Sequence, residues 1–269
     1  MTLEFQDIIY EKHQRVPGAA WITINRPQVM NAFTGQTLGE MKRAVEDAHA
    51  DSSVGVVVIT GAGDRAFCAG GDVRWLQEVQ REGAGASAAG VFDPHAGIED
   101  CLKPVIARVN GYCIGGGNHM AYFADFTIAC QDHATFAQVG PRVGSPAAGY
   151  FVAYLTWVVG AKKAKEMWML CRRYNAQQAL EMSLINVTVP HDRLDDEVDT
   201  WCRELMQKSP SCLKILKASF REVYRPLKEG SIRNWTREIA PDFFGSGEAD
   251  EGKNAFLERR EPDFSRYPR

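Results

Sequence analysis

Apolar and polar positions along the first half of the chain fall into short strands alternating with helices. Residues 5–11 and 19–25 are apolar and β-branched and flank Pro17-Gly18, which predicts two strands around a turn. Residues 25–31 read as a loop. Thr34-Gly35 then leads into a helix over 36–50, with Leu38, Met41, Val45 and Ala48 on one face. Residues 54–60 are continuously apolar, as in a strand buried on both faces of a parallel sheet. A glycine-rich loop follows at 61–72, then a helix at 72–80. The small, featureless residues 82–91 predict a mobile surface loop, and 95–101 a short helix. A second apolar strand at 104–109 runs into Gly111-Tyr-Cys-Ile-Gly-Gly-Gly-Asn-His119, a helix at 118–123 and a buried strand at 126–130. From 149 the pattern is mainly helical, at 149–158, 161–171, 175–183, 193–208, 210–224 and 230–257, with one strand near 185–189. The fold class is therefore α/β. The aromatic and charged end predicts a helix that packs on a neighbouring subunit.

Both glycine loops follow a buried strand and precede a helix. Glycines at such a junction remove the side chains just where a helix exposes its first N–H groups, and those groups attract negative charge. If the two loops met in one core, their N–H groups would converge on an enolate or tetrahedral oxyanion. A single donor of that kind is worth about 3 kcal/mol to a transition state. His119 falls in the first turn of the second helix. The positive end of a helix disfavours the imidazolium, which leaves a neutral imidazole able to take a proton.

Composition narrows the class. The chain has 269 residues, 45% hydrophobic and 24% charged, as in an ordinary globular protein. A net charge of −3 gives no basic excess for nucleic acid. No apolar run reaches the roughly 18 residues of a membrane span, and the N-terminus lacks a signal-peptide layout. The seven cysteines are scattered, without paired CxxC spacing, so neither a zinc site nor a disulfide framework is indicated and a reducing cytoplasm is expected. His13, His49, His133 and His191 lie in polar or edge contexts and read as solvated.

Four segments in fixed order carry a family resemblance. Asn25-Arg-Pro with Asn31-Ala, Arg65-Ala-Phe-Cys-Ala-Gly-Gly-Asp72, Lys103-Pro-Val-Ile-Ala with Asn110-Gly-Tyr-Cys-Ile-Gly-Gly-Gly117, and Ala124-Asp-Phe-Thr-Ile-Ala129 resemble the crotonase (enoyl-CoA hydratase/isomerase) superfamily over nearly the whole chain. The resemblance implies a spiral of ββα repeats over residues 1–200 and a helical oligomerisation region over 201–269. It further implies a homotrimer or homohexamer and an acyl-CoA substrate. Coenzyme A would be part of that substrate and no cofactor would be tightly bound. The family's oxyanion donors match the N–H groups of Gly71 and Gly116, and its adenine site matches the backbone at Ala66 and Cys68.

Within the superfamily, Phe136-Ala-Gln-Val-Gly-Pro-Arg-Val-Gly-Ser145, Ala161-Lys-Lys-Ala-Lys-Glu-Met-Trp168 and the C-terminal Glu251-Gly-Lys-Asn-Ala-Phe look like the 1,4-dihydroxy-2-naphthoyl-CoA synthases. They look equally like the ring-opening 2-ketocyclohexanecarboxyl-CoA and 6-oxocyclohexenecarbonyl-CoA hydrolases. The hydratases' two glutamates match His119 and Gly140, so neither carboxylate is present. An aspartate shared by the synthases and the 2-ketocyclohexane hydrolases matches Ala147, and a tyrosine of the synthases matches Phe244; the Gly-Ser-Ala-Ala pattern of the oxocyclohexene hydrolases is nearer to this chain. Gln138, Gly140 and Trp168 match a pocket that holds bicarbonate in one class of synthases. Here the pocket would hold an anion in place of the missing acid, bicarbonate or a substrate carboxylate, or only water. His119 is the candidate base, with His95 a second. Ser145 and Tyr150 are candidates for the acyl pocket, and Arg26, Arg65 and Lys103 for the CoA phosphates.

The resulting expectation is hydrolytic cleavage of a ring C–C bond in a cyclic β-keto acyl-CoA. The alternatives are a hydratase, isomerase or lyase that uses His119 in place of glutamate, a Dieckmann cyclisation of the naphthoyl-CoA kind, and an inactive acyl-CoA-binding or RNA-binding homologue.

Overall fold

A computed structural model of the chain describes residues 4–81, 96–147, 149–230 and 238–267. Among the described residues ten strands form two sheets. The larger contains β1 (Ile8–Lys12), β2 (Ala19–Ile24), β3 (Val56–Gly61), β5 (Val105–Val109), β7 (Phe126–Cys130) and β10 (Val187–Val189) in that order. The β1/β2 pair is antiparallel and every other pair is parallel. Its centre is the apolar run the sequence marks, and all six residues of β3 are buried. The smaller sheet has the order β4 (Ala66–Cys68), β6 (Tyr112–Ile114), β8 (Thr135–Ala137) and β9 (Arg173–Asn175). There β4, β6 and β8 are parallel, and β9 runs antiparallel to β8.

The sheet order encodes the spiral. Each turn sends one strand into the large sheet and the next into the small one, then a helix: β3–β4–α2 (Val73–Arg81) and β5–β6–α4 (Gly116–Phe123). Buried asparagines hold the turns. Asn31 Nδ2 donates to the carbonyls of Ala62 and Ala66, at 3.0 and 2.7 Å. Asn110 Nδ2 donates to Gly61 O at 2.9 Å and also to Gly63 O. Outside the sheets, α1 (Gly35–Ala50) starts with a capping box between Thr34 and Thr37 and buries Leu38, Met41, Val45 and Ala48. The short α3 (Ala96–Asp100) packs on it.

The remaining helices are α5 (Tyr150–Val159), α6 (Ala161–Leu170), α7 (Ala176–Glu181), α8 (Leu194–Met206), α9 (Pro210–Gly230) and α10 (Glu248–Glu258). Two expectations fail here. The helix predicted at 210–224 runs on to Gly230 through Pro226, and the one predicted at 230–257 is not continuous. A turn occupies 241–245, and α10 starts only after Gly247, whose φ of 80° ends any helix before it. The last helix also packs on its own chain. Gly252 leaves no room for a Cβ against Val143 and Gly144, and Gly144, at φ 60°, lies as close to Ala249. The predicted loop at 82–91 lies outside the described residues. No helix among the described residues is long and apolar enough to cross a membrane.

Lys217 anchors α9 to the core. Its Nζ donates to Asp125 Oδ2 at 2.6 Å and to the carbonyls of Lys103 and Ile98, at 3.0 and 3.3 Å. Burial pushes the Asp125 carboxyl up, and the Lys217 ammonium opposes that push.

Candidate active site

Because β4 and β6 are parallel neighbours, the segments leaving their C-terminal ends lie side by side. A Cβ on Gly70, whose φ is 94°, would stand 3.0 Å from Ile114 O and 3.4 Å from Gly116 N. A Cβ on Gly117 would collide with Cys68 O, and one on Gly111 with Arg65 O. The glycines are thus required by backbone-to-backbone packing of one loop on the other.

Phe33 supports both loops. Its N–H bonds to Gly70 O at 2.9 Å, and its carbonyl accepts from Asp72 N–H at 2.8 Å. That bridge uses the groups on either side of Gly71 and turns Gly71's own N–H to the opposite edge. Gly116 is the first residue of α4, whose first described helical bond is His119 N–H to Gly115 O at 3.0 Å. Among the described residues no acceptor takes the N–H of Gly71 or of Gly116. Both residues line one cavity of about 1480 Å³.

His119 lines the same cavity inside an aromatic wall. Its ring stacks on Phe151 at 4.8 Å and lies 5.5 Å from Tyr122 and 5.7 Å from Trp168. Gln138, Gly140, Ser145 and Trp168 line the cavity too. Gln138 is 1% exposed, and its Nε2 and the Trp168 Nε1 are buried donors without an acceptor among the described residues. A Cβ on Gly140 would stand 2.6 Å from Ser145 O and 3.8 Å from the Trp168 ring. Asp72 and Glu261 are the carboxylates among the described lining residues, against Arg74, Arg142, Arg173, Lys253, Arg259 and Arg260.

A sequence profile of enoyl-CoA hydratase/isomerase matches residues 15–267. The chain belongs to this family. It is a crotonase-superfamily enzyme that acts on acyl-CoA, with the crotonase fold. Among solved structures it is similar to an enoyl-CoA hydratase/isomerase from Xanthobacter autotrophicus Py2, at 33% identity and TM-score 0.76, covering 95% of this chain and 93% of that one. An enoyl-CoA hydratase from Mycobacterium avium subsp. paratuberculosis K-10 is 25% identical with TM-score 0.78, covering 97% and 99%. A methylmalonyl-CoA decarboxylase in complex with 2-nitronate-propionyl-CoA has TM-score 0.84, covering 97% and 99%. At 23% identity it shows the fold alone.

Several residues singled out in this crotonase from sequence stand elsewhere. Arg26 reaches the cavity edge, but its guanidinium is committed to Asp72 at 3.2 Å and to Ala32 O, with Asp7 at 3.7 Å. It locks the loop that carries Gly71. Lys103 is buried and donates to Ala48 O and Asp51 O, at 2.6 and 2.5 Å, so its ammonium is turned inward. Tyr150 does not line the cavity: its hydroxyl donates to Glu99 Oε1 at 2.6 Å, and burial and this bond push its phenol up. Cys68 is fully buried, its thiol pushed up to about 12 by burial, and Ala66 is buried beside it. Arg65 is exposed, outside the cavity lining. His95 lies outside the described residues.

Other residues had no signal in the sequence. Phe33, which bridges the glycine loop, and Phe151, which stacks on His119, are not singled out there. Lys253, quoted only as part of the C-terminal Glu251-Gly-Lys-Asn-Ala-Phe segment and given no role, is 5% exposed at the cavity wall and donates to Gln80 Oε1 and to Ala249 O. Burial lowers its affinity for a proton.

Proposed function

We propose that this crotonase hydrolyses a ring C–C bond of a cyclic β-keto acyl-CoA. One observation carries the reading. The cavity couples two uncommitted glycine N–H groups to a histidine, and its described carboxylates, Asp72 and Glu261, are tied to Arg26 and Arg142. Such a site suits stabilising an enolate better than placing water with an acid pair.

Water loses a proton to His119 as its oxygen adds to the ring ketone. The bond between that carbon and the α-carbon of the thioester then breaks. Its electron pair moves onto the thioester as an enolate, whose oxygen the N–H groups of Gly71 and Gly116 hold. The α-carbon takes the proton back from His119, and the product is an open-chain acyl-CoA with a free carboxylate. The two donors are backbone groups fixed by the packing of the glycine loops, so they need little reorganisation as charge develops. The basic side chains at the cavity wall give the phosphates of CoA a favourable field despite the negative net charge of the chain.

Gln138 Nε2 and Trp168 Nε1, two buried donors without acceptors among the described residues, suit a small oxyanion: bicarbonate or a carboxylate of the substrate. Bicarbonate bound there would supply a basic oxygen in place of the missing glutamate.

The family match favours a second reading, hydration of an enoyl-CoA with His119 as the base. Two thioester classes separate the readings. A saturated cyclic β-keto acyl-CoA gains one water only by ring opening, and a simple enoyl-CoA gains it only by hydration. Mass spectrometry of both, with and without bicarbonate, is expected to show water gained by the first class alone. Water gained by the enoyl-CoA alone selects hydration. CoA binding with neither product selects the inactive homologue.

A further inference from the structure

A second cluster of reactive side chains lies at the edge of the large sheet, apart from the cavity. Cys130 ends β7, and His133 follows in the turn to β8. His191 opens the 3-10 turn, His191–Arg193, that follows β10. In the β7/β10 ladder Val189 stands opposite Cys130, which brings the chain leaving β10 over the end of β7. Gln131 N–H to Val189 O and His191 N–H to Asp132 Oδ2, both 2.7 Å, pin the two segments.

The Cys130 Sγ lies 3.6 Å from His133 Nδ1 and 3.7 Å from His191 Nδ1. One ligand atom from each residue falls within 4.8 Å of the others. A tetrahedral zinc ion with Zn–S of about 2.3 Å and Zn–N of about 2.05 Å has S···N edges of about 3.5 Å. Both observed separations lie close to that edge. The His133 ring presents both nitrogens to the sulfur, with Nε2 at 3.8 Å, and this exposed side chain can turn to aim either one. Hydrogen bonding also serves the trio, because the Cys130 thiol can donate to Asp132 Oδ2, at 3.9 Å, while its sulfur accepts from both imidazoles. Metal coordination uses one lone pair from each. Behind the trio, Asp64 Oδ1 stands 3.5 Å from His191 Nε2, in the manner of a carboxylate that orients a metal-bound histidine.

We propose that Cys130, His133 and His191 bind one Zn²⁺ per chain, with the fourth position open to solvent beside the exposed His133. Binding displaces the Cys130 thiol proton to solvent and takes both imidazoles in their neutral form. None of the three residues lines the cavity, so the ion acts as a clasp between β7 and the edge strand β10. The sequence concealed the site because its third ligand comes from a distant segment that only strand pairing brings near.

The test is spectroscopic, on full-length protein stripped with a chelator and titrated with Co²⁺. One equivalent is expected to give a thiolate-to-cobalt charge-transfer band and the visible bands of tetrahedral Co²⁺, bleached by Zn²⁺. His133→Ala and His191→Ala are each expected to weaken binding about tenfold or more, and Cys130→Ser to remove the charge-transfer band. Zn²⁺ is expected to raise the melting temperature of the wild type and not of His133→Ala. Absence of the band in folded wild-type protein overturns the site, as does a band or affinity unchanged in the three variants. Because His133 is exposed, its variant keeps the test valid if Cys130→Ser fails to fold.

Discussion

Gly116 and Gly117 are adjacent, yet a side chain on each meets a different kind of neighbour. A Cβ on Gly116 would lie 2.5 Å from the Phe33 ring, which can tilt; one on Gly117 would strike the Cys68 carbonyl, which cannot. Gly117→Ala is therefore expected to cost stability, on the order of 1–3 kcal/mol as overpacking does, read as a lower melting temperature. Gly116→Ala is expected to fold and to lose about 10²-fold in kcat, because the displaced N–H is one of the two proposed to hold the enolate. Equal melting temperatures for the two variants would contradict the packing argument. His119→Ala is expected to lower kcat about 10²- to 10⁴-fold, the usual worth of a general base, and to leave CoA affinity unchanged by calorimetry. The glycines and His119 were legible in the sequence because chemistry sits in their residue types. The commitment of Arg26 to Asp72 and of Tyr150 to Glu99 was not, because a charge or a hydroxyl carries no sign of its partner in the linear chain.

Among the elements, β4, β6, β8 and β9 were invisible in the apolar pattern. Each has three residues, too few to show a period of two, yet they set the two glycine loops side by side. Long elements such as α1 and β3 were read nearly to the residue. The last helix is held by charge. Glu251, 4% exposed, accepts from Arg260 at 2.6 Å, from Asp263 N–H at 2.6 Å and from Arg266 at 3.0 Å. The Arg260 guanidinium and that N–H hold its carboxyl down, from an ordinary 4.5 to about 2. A lowered value means that the stabilisation is complete above the ordinary value and is lost as pH falls toward the folded one. The C-terminal segment is therefore expected to become more sensitive to an acid-active protease as pH drops from about 4.5 toward about 2. Glu251→Gln is expected to make it sensitive already at neutral pH and to flatten that dependence. A pH profile unchanged by the substitution would contradict the role of this contact.

On the scale of the whole molecule, α9 leaves Ile215, Leu216, Phe220 and Val223 between 47% and 65% exposed. So many apolar side chains on one helix suggest an interface. Sedimentation is expected to give a trimer or hexamer, and Ile215→Glu with Phe220→Glu to shift it toward monomer. A wild-type monomer would contradict the expected assembly. The central claim concerns the reaction of the cavity, and an isotope label reads it most directly. With 2-ketocyclohexanecarboxyl-CoA in ¹⁸O-labelled water, mass spectrometry is expected to find an open-chain acyl-CoA with one ¹⁸O in its new carboxylate and the thioester intact. The His119→Ala variant should form it far more slowly. Label in an acid released together with free CoA, or no product from wild-type protein that binds CoA, would contradict the account.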